Sequence, residues 1–380
     1  MIGAGVFGAW TAWSLLRKGK RVLLVDARGP ANARASSGGE SRLTRTSYGA
    51  DEVYTQLALE SLPDWKWLSD SADLPVFHRL GVLFFFAGMV PYAAGTLEVH
   101  QRLGLPLETL DRAHLTRRFP QFRWDDIDLG LWEPDFGALM SRRGVQTLVT
   151  RFVAAGGEYR LTEVAVPRAA APEADSVDEL VATGQRLEAA QYVFACGPWL
   201  PTLFPDLLGP RMFVTRQEVF FFAPPPGDAR FGPAAMPGWV DFNDGDMFYG
   251  TPDIEGRGVK IARDKHGAPM DPDAGDRLAS VDALADVRAY MERRFPALAR
   301  QPLNESRVCQ YENTSSGDFL IDRHPRWRNV WLVGGGSGHG FKHGPAVGRY
   351  AAQLVTGERA ALEPRFSLAA KGERQRRAVH

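Results

Sequence analysis

The chain has 380 residues, more than one hydrophobic core usually supports, so we expect two domains. Hydrophobic residues make up 44% and charged residues 24%, as in ordinary globular proteins, and no apolar run approaches the ~18 residues that span a bilayer. Lys+Arg and Asp+Glu both number 45, so no net field favours nucleic acid or an anionic membrane surface as a partner.

The first unit has the order glycine-rich loop, helix, strand. The loop is Gly3-Ala4-Gly5-Val6-Phe7-Gly8, a helix is predicted over 9–18, and Val22-Leu23-Leu24-Val25 is typical of a buried parallel strand. Glycines let the backbone turn tightly and approach a pyrophosphate, and the helix N-terminus offers free N–H groups. Asp26 lies 23 residues after Gly3, at the distance expected of a carboxylate that binds ribose hydroxyls. The unit predicts a dinucleotide site without distinguishing FAD from NAD.

The strand that should precede this loop is short in the printed sequence. A complete unit has a strand of about five or six residues before the first glycine, and that strand is central in the sheet. Only Met1 and Ile2 precede Gly3. We therefore expect the native protein to begin several residues earlier.

Later segments alternate between β-rich blocks and further strand-to-glycine turns. The β-rich stretches lie at 78–88, 214–222 and 246–261, and Pro and Gly punctuate them, which predicts a large mixed or antiparallel sheet. Strand patterns at 192–196 and 330–333 run into glycine-containing turns, and the second is followed by a helical pattern that starts near Pro345. Pieces of a nucleotide-binding fold therefore stand at the beginning, middle and end of the chain.

Four segments that follow the first unit resemble the monomeric sarcosine oxidase and N-methyl amino acid oxidase family, within the D-amino-acid-oxidase-like superfamily. They are ASSGGESRLTR at 35–45, GVK at 258–260, RVCQY at 307–311 running on to GDFLID at 317–322, and GSGHGFK at 336–342. They occur in the family's order, and the resemblance covers nearly the whole chain. An unrelated protein with a glycine loop would not be expected to contain the last two segments as well. The resemblance therefore favours FAD over NAD.

The resemblance implies an α/β fold with two domains. The first is an FAD-binding Rossmann-like domain of the glutathione-reductase type, discontinuous in sequence, at 1–77, 142–208 and 316–370. The second is a substrate domain with a large antiparallel or mixed β-sheet, at 78–141 and 209–315. We expect residues 371–380 to form a disordered tail.

Roles for individual residues also follow from the resemblance. Cys309 matches a cysteine that bonds the flavin as a thioether, and a thiolate is a suitable soft nucleophile for an electron-poor ring. Lys260 matches a lysine at the flavin face where oxygen is reduced, and a cation there stabilises developing superoxide. Arg42 matches a basic residue close to the ring.

The substrate end of the site follows in the same way. Arg45 and Lys342 match the pair that binds a substrate carboxylate, by a planar fork and a point charge respectively. Tyr249 and Tyr311 match ring-lined positions around the substrate. The complete set of predicted FAD-binding residues is Gly3, Gly5, Val6, Phe7, Gly8, Asp26, Ala27, Ser36, Gly39, Ser41, Arg42, Val164, Cys196, Gly197, Cys309, Gly336, Ser337, Gly338, His339, Gly340, Phe341 and Lys342.

Two positions depart from the family pattern. Gly38 and Asp264 stand where sarcosine oxidases have histidines, the second beside the substrate amine. The amine end of the pocket has therefore changed charge, which puts sarcosine itself in doubt and suits a more basic or larger amine. His324 and His339 have no ligand spacing for a metal, so none is expected. The two cysteines, Cys196 and Cys309, are too few for a disulfide framework and indicate a reducing, cytoplasmic compartment.

The sequence thus predicts an FAD-dependent oxidase of a secondary amine or N-substituted amino acid, monomeric, that passes electrons to O2 and gives an imine and H2O2. One alternative is a flavin dehydrogenase of the same fold with another electron acceptor. A second is a non-catalytic FAD-binding protein that serves assembly or interaction. A third is an NAD(P)-dependent dehydrogenase, and a purified protein that is yellow from bound flavin would exclude it.

Overall fold

The computed structural model describes residues 1–165, 173–243, 246–359 and 361–375. Its helices are α1 (Val6–Arg17), α2 (Glu52–Asp70), α3 (Pro91–Leu103), α4 (Arg112–Arg118), α5 (Ser141–Ala154), α6 (Leu200–Leu203), α7 (Pro205–Leu208), α8 (Val281–Arg294) and α9 (Gly344–Val355). Within these ranges no helix combines the length and apolar character needed to cross a bilayer.

The strands, in chain order, are β1 (Leu23–Asp26), β2 (Ser41–Thr44), β3 (Phe77–His78), β4 (Val82–Phe86), β5 (Glu108–Asp111), β6 (Leu129–Glu133), β7 (Gly137–Met140), β8 (Glu158–Leu161), β9 (Glu179–Ala182), β10 (Gln185–Glu188), β11 (Tyr192–Phe194), β12 (Met212–Phe222), β13 (Gly238–Asn243), β14 (Asp246–Thr251), β15 (Val259–Arg263), β16 (Leu303–Thr314), β17 (Leu320–Arg323) and β18 (Val330–Gly334).

Residues 1–3 occupy the centre of a parallel sheet. Ile2 bridges Val25 of β1 on one side and Phe194 of β11 on the other, both in parallel. The Ile2 N–H donates to Val193 O and the Gly3 N–H donates to Val25 O, each at 2.8 Å. Beyond these neighbours, β1 pairs with β8, and β11 pairs with β18, which pairs antiparallel with β17. The three residues therefore hold the loop that follows in the position of a central strand's carboxyl end.

Helix α1 begins at Val6, so residues 6–8 of the predicted loop form its first turn and the helix starts three residues before the predicted range 9–18. Its apolar composition is explained by burial on most sides, since Trp10 and Ala12 are both fully buried. It packs against α9, where a Cβ on Gly348 would lie 2.5 Å from the Trp10 carbonyl carbon, so only glycine permits this approach. The helix ends at Arg17, and Gly19 takes a left-handed conformation with φ +73°.

The second layer is a mixed sheet of eight strands in the order β16-β12-β15-β14-β13-β4-β6-β5. The β13–β4 pair is parallel, and all the other neighbours are antiparallel. Fully buried aromatic side chains, including Phe85 and Trp239, form the core on one face of this sheet. Its strands fall within 78–141 and 209–315, the segments predicted for a substrate domain. The predicted mixed α/β fold class is confirmed, and the domain boundaries stay a prediction.

The C-terminal segment is bound to the rest of the fold for part of its length. Lys371 is buried and donates a hydrogen bond to Arg365 O, and the Gly372 N–H donates to Ser315 Oγ at 2.8 Å. The predicted disordered tail at 371–380 therefore begins with ordered residues. Residues 376–380 lie outside the described part of the chain.

Candidate active site

A cleft lies where the glycine loop, the end of β1 and the turn after β11 meet. It encloses about 1070 Å³, its open mouth included. Ten predicted FAD-binding residues line it: Gly3, Gly5, Val6, Phe7, Asp26, Ala27, Ser36, Val164, Cys196 and Gly197. The carboxylate of Asp26 accepts hydrogen bonds from the Ala4 N–H at 2.7 Å and the Arg28 N–H at 2.8 Å, which ties the end of β1 to the loop.

The cleft fits a pyrophosphate. The N-cap residue Gly5 has no side chain to cap α1, and the first turn carries no acidic residue, so the positive end of the helix favours an anion. Of the first N–H groups, that of Val6 donates to Ser37 Oγ at 3.0 Å. Gly3 has φ +99°, and a Cβ there would lie 2.4 Å from Ala195 O. Gly8 does not line the cleft; a Cβ on it would lie 1.9 Å from Gly3 O, so this glycine serves helix packing. These features together fit the dinucleotide part of FAD.

A narrower space continues from this cleft. It shares Val6, Phe7, Ser36 and Glu312 with the cleft and extends to Arg42, Cys309, Tyr311 and the glycine turn after β18. The predicted residues Gly336, Ser337, Gly338, Gly340 and Phe341 line this continuation. The two spaces therefore form one path, which leads from the nucleotide cleft toward Arg42, Cys309 and Tyr311.

The third cavity, of about 1120 Å³ with its opening, brings the predicted substrate and flavin residues together. Its lining residues come from several elements, namely β2, the segment after it, β14, β15, β16 and the turn before α9. The predicted residues that line it are Gly39, Arg42, Arg45, Tyr249, Lys260, Asp264, Cys309, Tyr311, Ser337, Gly338, His339, Phe341 and Lys342. Ser41 is absent from this lining, and contributes its backbone oxygen to Lys260 instead.

Lys260 is a buried cation, 2% exposed. Its Nζ donates to Ser41 O at 2.8 Å and lies 5.3 Å from the centre of the Tyr249 ring. Burial, reinforced by the Arg42 cation, lowers the pKa of Lys260 to about 7. Lys260 therefore gains and loses its proton near neutral pH. Shifted pKa values of this kind are common among residues of functional sites.

Arg45 and Lys342 share one aromatic ring. The Arg45 guanidinium lies 4.2 Å and the Lys342 Nζ 5.1 Å from the centre of the Tyr48 ring. Both side chains are buried, and Lys342 also donates to His339 O at 2.9 Å. Two buried cations on one ring concentrate positive charge at this part of the cavity.

Tyr48 was not predicted as a site residue. Its hydroxyl lies 2.8 Å from His343 Nε2 and 3.2 Å from His339 Nδ1, so it connects the segment after β2 to the turn before α9. Burial, with the Lys342 cation next, holds the pKa of His343 well below its usual range, so the ring is neutral. No spacing in the sequence points to Tyr48, because its partners lie about 290 residues away.

Glu133 was also missed. It is fully buried at the end of β6 and accepts four hydrogen bonds, from the N–H and hydroxyl groups of Thr46 and Ser47. These two residues directly follow Arg45, so the carboxylate fixes the backbone that carries the guanidinium. A buried acid at the end of an apolar strand is a sequence signal that could have identified it.

Asp264 and Tyr311 also line this cavity and contact each other. The Tyr311 hydroxyl donates to Asp264 Oδ1 at 2.8 Å. Burial, with the Asp264 charge next, raises the pKa of Tyr311 well above its usual value, so the phenol keeps its proton. The cavity lining thus includes the Asp264 carboxyl group as well as the Arg45 and Lys342 cations.

The two cysteines have different surroundings. The Cys309 sulfur lies 3.7 Å from Arg42 Nη2 and 3.8 Å from Ser36 O, between the two cavities. The Cys196 sulfur lies 3.5 Å from Ile2 O, and its burial raises the pKa of that thiol far above its usual value. Cys309 therefore has a cation beside it, whereas Cys196 stays a protonated thiol.

Metal ligation has no counterpart in the described residues, where no group of three His, Cys, Asp or Glu side chains could hold an ion. His339 instead places its Nε2 3.0 Å from Gly317 O and its Nδ1 near the Tyr48 hydroxyl.

A family model described as FAD dependent oxidoreductase, named DAO, matches residues 1–354. The chain belongs to this family. The resemblance inferred from the later segments is therefore confirmed, and with it the chain is an FAD-dependent oxidoreductase.

Two kinds of relative are similar over almost the whole length. A monomeric sarcosine oxidase of Streptomyces avermitilis is 32% identical over 362 residues, which covers 93% of this chain and 92% of the relative. An N-methyl-L-tryptophan oxidase of Citrobacter koseri is 30% identical over 367 residues, which covers 96% and 95%.

Solved structures agree in fold at lower identity. NikD, an amino acid oxidase of nikkomycin biosynthesis, superposes with a TM-score of 0.75 at 24% identity and covers 96% of this chain and 95% of its own. L-proline dehydrogenase from P. horikoshii superposes with a TM-score of 0.82 at 18% identity, with 97% and 95% covered. These two share the fold of this family.

Proposed function

We propose that the protein is an oxidase of secondary amines or N-substituted amino acids that passes electrons to O2 and releases H2O2. The observation that carries the proposal is the single cavity whose lining includes the cations Arg45 and Lys342 together with the carboxylate of Asp264. A molecule with a carboxylate next to a protonated amine matches this arrangement of charge. The sarcosine and N-methyl-L-tryptophan oxidases named among the relatives act on molecules of this class.

Each residue has a task in this proposal. Arg45 and Lys342 hold the substrate carboxylate, and Tyr249 and Tyr311 pack beside the substrate. Asp264 accepts the proton that the amine must lose before it is oxidised. Bound FAD supplies the two-electron oxidation of the carbon–nitrogen bond, and the product imine is hydrolysed by water.

Oxygen reduction is assigned to the Lys260 side of the cavity. A buried ammonium stabilises the negative charge that develops on oxygen, and the low dielectric around it strengthens that effect. Cys309 is assigned the thioether to the flavin, because its sulfur lies between the nucleotide path and the substrate cavity. The FAD-binding residues predicted from the sequence are proposed to contact the cofactor along this path, with Gly8 and Ser41 supporting it through the backbone.

The remaining expectations belong to the same proposal. The two-domain division, a monomeric state and a cytoplasmic location are inferred, with small amines and O2 as the reaction partners. A flavin dehydrogenase with another acceptor is the second candidate, and the buried Lys260 favours the oxidase over it. A non-catalytic FAD-binding protein would have no use for a carboxylate-binding pair.

A substrate screen tests the proposal. N-methyl amino acids, cyclic imino acids and sugar-modified amino acids are supplied in air, and H2O2 is measured beside anaerobic bleaching of the flavin absorbance. We expect both signals with the same compounds, and loss of carboxylate preference in Lys342→Met when each acid is compared with its decarboxylated amine. Bleaching without peroxide would establish the dehydrogenase, and no bleaching by any class would leave the non-catalytic alternative.

A further inference from the structure

Glu312 is a buried carboxyl group on β16 that the proposed reaction does not use. Its side chain is 8% exposed. Oε1 accepts a hydrogen bond from the Gly336 N–H at 3.2 Å. Oε2 is buried and has no hydrogen-bond partner among the described residues. A buried carboxyl oxygen without a partner is costly, so its persistence points to a partner that arrives with a ligand.

The position of Glu312 identifies that ligand. Its side chain lines both the nucleotide cleft and the path that leads from the cleft to Cys309. Two glycines leave room for it: a Cβ on Gly197 would lie 2.7 Å from Oε2, and one on Gly336 would lie 3.2 Å from Oε1. The fold thus keeps a carboxyl group open at the junction between the two parts of the FAD site.

We propose that Glu312 binds FAD as a neutral carboxylic acid, with Oε2–H donating a hydrogen bond to an oxygen of the bound cofactor, and that FAD binding at alkaline pH takes up one proton. The phosphate and hydroxyl oxygens of FAD accept hydrogen bonds. An ionised carboxylate has no proton to donate and would repel the phosphates, whereas the acid form keeps Oε1 for Gly336 and uses Oε2 toward the ligand.

Burial of Glu312 favours the acid form. Burial raises the pKa of Glu312 to about 7, and the hydrogen bond from Gly336 N–H opposes that rise. The ionisable groups that line the same cleft and path with it are Asp26, Arg28, Arg42, Glu163, Cys196, Asp273, Cys309 and Tyr311. Arg42 donates its hydrogen bonds to Ser36 O and Ser41 O.

The pKa of Glu312 sets the direction in which FAD affinity changes with pH. Below about pH 7 the free protein carries the neutral acid, and FAD binds without proton uptake. Above it the free protein is ionised, so binding requires a proton from solvent and the Kd for FAD rises about tenfold per pH unit.

The test uses the full chain with Cys309→Ala, so that FAD exchanges freely. FAD is titrated from pH 6 to 9 by quenching of tryptophan fluorescence, and calorimetry at pH 8 in two buffers of different ionisation enthalpy counts protons. We expect the tenfold slope above pH 7 and uptake of about one proton. Adding Glu312→Gln, which keeps a donor but cannot ionise, should leave binding tight and remove both effects. Glu305→Gln, on the same strand, is the matched control and should retain both.

Two results would overturn the proposal: a parent protein whose FAD affinity is flat between pH 7 and 9 without proton uptake, or a Glu312→Gln protein that keeps the slope. Lys260 also titrates near neutral pH, so Lys260→Met is added and must leave the slope in place. The measurement on the Cys309→Ala protein needs no substitution at Glu312, so it tests the proposal even if the Glu312→Gln protein does not fold. No substrate or oxygen is present, so the outcome is independent of the proposed oxidase activity.

Discussion

The Tyr311 hydroxyl donates a 2.8 Å hydrogen bond to Oδ1 of Asp264 at the edge of the cavity that also contains Arg45 and Lys342. The bond leaves the carboxylate negative, because burial and the Asp264 charge together keep the tyrosine protonated. The field of Asp264 extends to Arg45, whose pKa is raised by the neighbouring acids and tyrosines despite its burial. The wall of this cavity therefore carries charges of both signs.

Replacing Asp264 by Asn should remove the preference for a charged amine. We expect dimethylglycine to lose about tenfold in affinity, about 1.4 kcal/mol, because a charge-assisted contact is lost, while (methylthio)acetate, which has an uncharged sulfur in place of the ammonium nitrogen, does not lose affinity. Flavin absorbance changes on titration give both dissociation constants. Tyr311→Phe keeps the carboxylate and serves as the control, with a smaller effect. Equal loss for both ligands would contradict the role given to Asp264.

Reoxidation by oxygen should depend on pH through Lys260. Its pKa is lowered to about 7, so the ammonium is present below that pH and is lost as pH rises through it. Stopped-flow mixing of reduced enzyme with O2 should therefore show a rate that falls as pH rises above 7. Lys260→Met should be slow, by roughly 10²-fold or more, and independent of pH, with flavin reduction by substrate much less affected. Equal slowing of both half-reactions would refute an oxygen-specific role.

Covalent attachment of the flavin should depend on Cys309 alone. We expect acid precipitation of the wild-type protein to leave yellow flavin in the pellet, and a peptide containing Cys309 to carry the flavin mass. Cys309→Ala should release all flavin into the supernatant. Cys196→Ser is the matched control and should retain the tether, since Cys196 is a protonated thiol beside Ile2. Complete release from the wild type would exclude the thioether.

The fold was largely predictable because its determinants are local. The glycine spacing, the apolar run at Val22 and the stop at Gly19 each act within one turn or strand. Both α1 and β1 form, the helix three residues earlier than predicted at its start and the strand shifted by one residue. Residues 1–3 lie in the central position expected of the strand before the loop, with backbone hydrogen bonds to Val25 and Val193. The sequence does not display this pairing on both sides, and an earlier native start stays a prediction.

The candidate site was predictable where residue type and family order coincide, as at Lys260, Cys309 and Lys342. It was not predictable where long-range packing creates the role. Tyr48 bridges His339 and His343 from the far end of the chain, and Glu312 became notable only when its unpartnered oxygen and the neighbouring glycines were seen together. Burial and partner counts are properties of the folded chain, so periodicity and spacing do not reveal them.

Replacing Glu133 by Gln should destabilise the protein and weaken substrate binding together. The carboxylate accepts four hydrogen bonds from Thr46 and Ser47, and an amide would turn a donor toward two of them. We expect a loss of about 2–4 kcal/mol in the free energy of unfolding, because buried groups are left unsatisfied. KM should rise more than kcat falls, since the backbone that carries Arg45 is displaced. Urea unfolding at equal flavin content and steady-state kinetics measure the two effects.

Asp128→Asn, at an exposed pair with Arg112, is the control and should change stability by less than about 0.5 kcal/mol. A Glu133→Gln protein as stable as the control would show that the four bonds do not fix this segment.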